Sequence, residues 1–222
     1  MMPVPSPVAT KRHTAVLVFI FTLLGVAGSY ADRSGAVEHS APTARQALQL
    51  YVSALVIEWA SVLYVWKGTR RHVRLRDLIG RRWHRPREVG IDLLLAGTLW
   101  IVWVGIESGL PGIDSVRTLL PQRALETAVW ILLALSAGFC EELVFRGYFQ
   151  RQFHAFTGSL PAAIALQAFV FGIGHFYEGT WAVAKIVLYG ALFGALAAWR
   201  RSLRPGMIAH AWSDLYGAVI FR

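Results

Sequence analysis

The chain has 222 residues, of which 55% are hydrophobic and only 16% are charged. Soluble domains carry about a quarter charged residues, so this chain has too few polar side chains to cover a soluble surface, and an ordinary soluble enzyme, a disordered chain and a collagen-like chain are excluded. The 22 basic and 13 acidic residues give a net charge of +9, and the single cysteine excludes an internal disulfide and a thiolate zinc cluster.

Hydrophobic segments follow one another along the chain and predict an all-α, polytopic membrane helix bundle, because about 20 apolar residues span a bilayer as a helix. We interpret seven of them as transmembrane helices: residues 14–31, 46–66, 91–110, 124–145, 160–177, 181–199 and 205–221. The third is weaker, since Asp92 and Glu107 bracket it. The first is also open to interpretation as a signal peptide, because a basic stretch precedes it and Ser29-Tyr30-Ala31 resembles a cleavage site.

Basic residues are concentrated in one loop, where nine of them lie between Lys67 and Arg87. The block lies beside a predicted span and has no interleaved aromatic surface, so we interpret it as a cytoplasmic loop next to anionic lipid and expect no nucleic-acid partner. If the N-terminus is cytoplasmic and the spans alternate, 16 Lys and Arg residues lie on the cytoplasmic side, five lie on the outer side and Lys185 lies within the sixth span. This bias predicts a multi-pass protein of the cell membrane with a cytoplasmic N-terminus.

Ionisable side chains are costly inside a span and therefore need a partner or a function. The first cluster of them is the pattern Glu141-Glu142-xxx-Arg146. On a helix, Glu142 and Arg146 have the spacing and order favoured for an ion pair, whereas Glu141 is rotated by about 100°. We expect a structural Glu142–Arg146 pair and an unneutralised Glu141 suited to act as a general base. The alternative is that both acids pair with Arg146 or lie at the headgroup level.

The second pattern is Phe171-Gly-Ile-Gly-His175, in which Phe171 and His175 share a helix face. If the chain turns near Thr157, Glu141 and His175 lie about 24 and 27 Å from the turn along two antiparallel helices. The two side chains would then be level. The sequence therefore predicts His175 as a partner of Glu141, against the alternative of a packing residue.

The third pattern is His210-Ala-Trp-Ser-Asp214, whose two polar ends project from one face of the last segment. A carboxyl group can orient an imidazole and select its tautomer, so this pair is either functional or a structural link between helices. Glu58 and Lys185 stand alone, and we interpret them as packing or interfacial groups. Cys140 is interpreted as an unreactive buried thiol, because apolar surroundings disfavour the thiolate.

The order Glu-Glu-xxx-Arg, Phe-xxx-His and His-xxx-Asn/Asp on successive membrane helices resembles the motifs of the CPBP family. This family contains type II CAAX prenyl endopeptidases and Abi-like bacteriocin-processing or immunity proteins, and the similarity covers about residues 88–221. It implies an intramembrane endopeptidase bundle in residues 88–222, preceded by N-terminal spans and the basic loop in residues 1–87. It further implies a peptide or protein substrate at the membrane and no metal or other cofactor.

The resemblance also implies a role for each motif residue. Glu141 would be the general base, His175 would help to hold and activate the water, and His210 with Asp214 would stabilise the oxyanion. Many proteolytic members have Asn where this chain has Asp214, and an ionised Asp would repel an oxyanion, so it must be protonated or serve His210. Two alternatives are a zinc peptidase with Glu141, His175 and His210 as ligands, and a non-catalytic adaptor or immunity protein.

Overall fold

The computed structural model describes residues 6–33, 42–108 and 119–220. Regular structure in these ranges is helical, apart from an isolated antiparallel bridge between Gly80 and Ser202. The helices are α1 Lys11–Arg33, α2 Ala44–Thr69, α3 Leu75–Ile79, α4 Pro86–Ser108, α5 Ala124–Glu141, a π-helix Glu142–Phe149, α6 Gln150–Thr157, α7 Leu160–Gly174, a 3₁₀ turn Phe176–Glu178, α8 Thr180–Arg200 and α9 Arg204–Ile220. The predicted all-α membrane bundle is confirmed.

Five of the described helical stretches are long and apolar enough to cross a bilayer: Lys11–Tyr30, Ala44–Thr69, Pro86–Glu107, Ala124–Thr157 and Thr180–Arg200. The fifth and seventh predicted segments correspond to shorter helices, α7 with 15 residues and α9 with 17. Residues 109–110 and 221, at the ends of the third and seventh predicted segments, lie outside the described residues.

The fourth predicted segment ends too early at residue 145, because the helix continues through the π-helix and α6 to Thr157. Its polar residues beyond this point find partners inside the protein: the Gln150 side-chain amide donates to the Gly194 carbonyl and that of Gln152 to the Ala9 carbonyl. The predicted turn near Thr157 is confirmed, since Gly158 there has a φ of 69°.

Helix α1 is tied to the rest of the bundle by a polar network. The Tyr148 hydroxyl lies 2.7 Å from His13 Nδ1 and 3.0 Å from Thr14 Oγ1, and Gln152 Nε2 donates to Thr14 Oγ1 at 2.7 Å. Leu17 of the same helix is only 1% exposed. Removing α1 would therefore leave the Tyr148 and Gln152 side chains buried without these hydrogen bonds.

The basic loop is held against the turn between α8 and α9. The Arg81 amide donates to the Arg201 carbonyl and the Leu203 amide donates to the Ile79 carbonyl, both at 2.9 Å. Close by, the buried Asp92 of α4 forms an ion pair with Arg200 at 2.6 Å. These contacts hold the start of α9, the helix that carries His210 and Asp214.

Helices α5 and α9 approach unusually closely at Gly138. A Cβ atom at this position would lie 2.6 Å from the Met207 carbonyl oxygen, so no residue with a side chain fits without a shift. Gly138 is one turn before Glu141 on α5, and Met207 is one turn before His210 on α9. The close approach therefore brings the first and third sequence motifs together.

Candidate active site

The centre of the polar cluster is Glu142, the first residue of the π-helix, whose side chain is 0% exposed. Its Oε1 atom lies 3.1 Å from Arg146 Nη1 and 3.2 Å from His210 Nδ1. Because a carboxylate oxygen only accepts, the His210 Nδ1 atom donates its hydrogen to Glu142. This hydrogen bond orients the imidazole so that its other nitrogen, Nε2, faces away from the ion pair.

The Nε2 atom of His210 faces the other two acids of the motifs. It lies 3.6 Å from Glu141 Oε2 and 3.9 Å from Asp214 Oδ2, distances longer than direct hydrogen bonds. The side chains of Glu141 and Asp214 are 22% and 33% exposed, in contrast to the fully buried Glu142. The cluster therefore has a closed side, formed by the ion pair, and an accessible side formed by Glu141, His210 and Asp214.

Aromatic rings enclose the Arg146 guanidinium. Its central carbon lies 4.4 Å from the ring centre of Phe171, 5.6 Å from that of Phe193 and 5.9 Å from that of Tyr189. Cation–π contacts of this kind stabilise a guanidinium that has left water. Among the described residues, Arg146 forms an ion pair with Glu142 and none with Glu141.

His175 is held at the end of α7, where its Nδ1 atom donates to the Phe171 carbonyl at 2.8 Å. The other ring nitrogen is therefore an acceptor when the ring is neutral. His175 interacts electrostatically with Asp214. Within the described part of the chain, no hydrogen bond or ion pair joins it to Glu141, and the imidazole in contact with that acid is His210.

The sequence prediction that His175 lies level with Glu141 assumes a helix that continues to residue 177. In the structure α7 ends at Gly174, and the His175 backbone has left the helical region with φ −102° and ψ 18°. The imidazole nevertheless remains against Phe171, as the shared face predicts, with ring centres 4.8 Å apart.

Glu58 of α2 is a neighbour of the cluster, although its isolated position in the sequence predicts a packing or interfacial residue. Its Oε2 atom is buried and has no hydrogen bond in the described structure, and the side chain interacts electrostatically with Glu141, Asp214 and His210. The sequence feature that indicates a functional role for Glu58 is a single acidic residue within an apolar span. Cys140, next to Glu141, is a buried free thiol.

Tyr189 of α8 is a second site residue that no sequence pattern indicates. It is 5% exposed, and its ring centre lies 5.3 Å from that of His210. The apolar α8 segment offers no local reason to single out this tyrosine. Its place in the cluster follows only from the packing of α8 against the π-helix and α9.

Residues 123–216 match the family model described as Type II CAAX prenyl endopeptidase Rce1-like. The predicted family resemblance is confirmed. This Rce1-like region, residues 123–216, contains all three motifs and covers less than half of the chain, and Glu58 lies outside it. No curated protein and no solved structure matches the chain.

The zinc-peptidase alternative requires three ligand side chains that lie close enough together to bind one metal ion. Among residues 6–33, 42–108 and 119–220, no group of three or more His, Cys, Asp or Glu side chains is arranged to hold a metal ion. The three ligands that this alternative needs are Glu141, His175 and His210, and His175 does not join the other two. The described residues therefore contain no set of ligands that is arranged to bind the zinc ion of this alternative.

Proposed function

We propose that this chain is an intramembrane endopeptidase that hydrolyses a peptide bond of a membrane-associated protein through water activated by Glu141. The observation that supports this proposal is that two adjacent acids differ in burial and in pairing. Glu142 is buried and paired with Arg146, whereas Glu141 is partly exposed and 3.6 Å from the His210 imidazole. The location of both acids in the Rce1-like region supports the same reaction class.

In the proposed reaction, Glu141 accepts a proton from water while the water oxygen attacks the carbonyl carbon of the scissile peptide bond. The carbonyl π electrons move to oxygen and form a tetrahedral oxyanion. When this intermediate collapses, the C–N bond breaks and Glu141 delivers its proton to the leaving nitrogen. The products are a carboxyl terminus and an amine, Glu141 returns to its initial state, and no covalent intermediate with the protein forms.

His210 and Asp214 act on the oxyanion side of this reaction. With Nδ1 donating to Glu142, a protonated His210 presents its Nε2 hydrogen toward the accessible side of the cluster. Asp214 lies 3.9 Å from Nε2 and stabilises the imidazolium. The aspartate therefore acts through His210, whereas an asparagine at this position would donate a hydrogen bond to the oxyanion directly. His175, whose Nε2 atom is an acceptor when the ring is neutral, helps to hold the water.

The proposed cleavage takes place inside the membrane, on the side of the basic loop. Helix α9 begins at Arg204, beside that loop, and His210 is six residues further along the helix. Six residues correspond to about 9 Å along the helix, and in this proposal the imidazole lies below the headgroup layer. With the N-terminus and the basic loop in the cytoplasm, the scissile bond lies within the cytoplasmic leaflet of the cell membrane.

The proposal is tested by comparing protein N-termini in membranes of cells that express wild type, Glu141→Gln or Glu88→Gln at equal levels. Glu88 is a matched control, because its carboxylate caps the His84 amide at the start of α4. We expect new N-termini with wild type and Glu88→Gln and none with Glu141→Gln. The same new N-termini with all three proteins would contradict the proposed base. A biological effect that persists in Glu141→Gln without any cleavage would instead support a non-catalytic adaptor.

A further inference from the structure

The Tyr189 side chain of α8 is buried in the cluster, and its hydroxyl is the feature of interest. The residue is 5% exposed, and its hydroxyl oxygen has no hydrogen bond within the described residues. Buried tyrosine hydroxyls usually find a partner, because a buried polar group without one costs free energy. An unpaired phenol in a folded core therefore suggests a group that a ligand or a reaction intermediate would satisfy.

Ring contacts hold the Tyr189 side chain firmly in the cluster. Its ring stacks on Phe193 with centres 3.9 Å apart and meets Trp103 edge-on at 4.7 Å and His210 edge-on at 5.3 Å. These contacts fix both side-chain torsions of the tyrosine. The position of its hydroxyl is therefore set before any substrate binds, as an efficient hydrogen-bond donor to a transition state requires.

The phenol of Tyr189 interacts with the charged groups of the cluster. Tyr189 interacts electrostatically with Asp214, Glu142 and Arg146, and also with Glu141. Most of these groups are acids, which repel a developing oxyanion, and Arg146 is enclosed by rings and paired with Glu142. A neutral O–H donor is therefore the kind of group that this site needs beside a protonated His210.

We propose that Tyr189 is a further catalytic residue, whose phenolic O–H donates a hydrogen bond to the tetrahedral oxyanion. The inference rests on the proposed function. The phenolic proton stays on the tyrosine throughout, so the donor needs no co-reactant and is unchanged when the intermediate collapses. This assignment explains both the unpaired buried hydroxyl and the presence of Asp214 at a position where a neutral donor would otherwise act.

The test is Tyr189→Phe in the full-length protein, reconstituted in liposomes with a substrate peptide that wild type cleaves. Phenylalanine keeps the ring contacts and removes only the hydroxyl. We expect kcat to fall by about 10²–10³-fold, as for loss of one oxyanion donor, with KM changed less than a few-fold. Stability should be unchanged or higher, because the variant no longer buries an unpaired hydroxyl.

Tyr64→Phe is the matched control, since it removes a hydroxyl that donates to the His13 carbonyl at 3.3 Å, in the network that holds α1. It should keep the wild-type kcat. Wild-type kcat in Tyr189→Phe, with Glu141→Gln inactive, would overturn the role of Tyr189 and leave the proposed function standing. A fall in kcat matched by a loss of folded protein would show a structural role and also overturn it. If wild type cleaves no peptide, or Glu141→Gln remains active, both proposals fail.

Discussion

Glu142→Gln tests which of the two adjacent acids holds the cluster together. The Glu142 side chain is fully buried, and its Oε1 contacts Arg146 at 3.1 Å and His210 at 3.2 Å. Removing one partner of a buried ion pair costs about 3–5 kcal/mol, because the other charge remains buried without neutralisation. Glutamine keeps the size and one acceptor oxygen, so we expect the free energy of unfolding to fall by about 3 kcal/mol.

The measurement is equilibrium unfolding in mixed micelles for wild type, Glu142→Gln and Glu141→Gln. Glu141 is 22% exposed and has no ion pair with Arg146 in the described structure, so its variant should lie within about 1 kcal/mol of wild type. Adding Arg146→Met to Glu142→Gln should recover part of the loss, because the unneutralised charge is removed with it. Equal stability of Glu142→Gln and wild type, or a larger loss in Glu141→Gln, would refute the assignment of the structural ion pair.

Three further predictions concern the scaffold and the reaction class. Asp92→Asn removes the charged partner of the Arg200 side chain at 2.6 Å and should lower the free energy of unfolding by about 3 kcal/mol in the same equilibrium measurement. Gly138→Ala places a Cβ 2.6 Å from the Met207 carbonyl oxygen and should displace α9, which should slow cleavage by about 100-fold. Gly90→Ala is the control, because its Cβ meets no atom within 4 Å, and it should keep the wild-type cleavage rate. Zinc chelators should leave the cleavage rate unchanged, and a loss restored by added zinc would contradict the water-activation mechanism.

The fold was predictable where local patterns suffice. Long apolar runs identify the spans, and Gly158 before Ser159 marks the turn between α6 and α7, where the Ser159 side chain accepts from the Ala162 amide. The extension of the fourth helix to Thr157 was not predictable from hydropathy. Polar side chains such as Gln150 and Gln152 reduce the apolar signal there, yet both are buried because their amides bond to backbone carbonyls of other segments.

The site was predictable only in part. Helix spacing predicts which side chains of one motif lie on the same face, but it does not predict contacts between side chains of different motifs. Four-residue spacing explains why Arg146 reaches Glu142. The contact of His210 with both acids depends instead on the close approach of α5 and α9 at Gly138. Tyr189 enters the cluster through tertiary packing alone, which leaves no local pattern in the sequence.

The most direct test of the central claim is the rate of peptide-bond cleavage by purified Glu141→Gln compared with wild type, at equal amounts of folded protein. The amide of glutamine cannot accept the proton of the attacking water, so we predict a rate at least about 100-fold lower. Unfolding of the variant should match wild type, since Glu141 takes no part in the buried ion pair. A folded Glu141→Gln protein that cleaves at the wild-type rate would contradict the account.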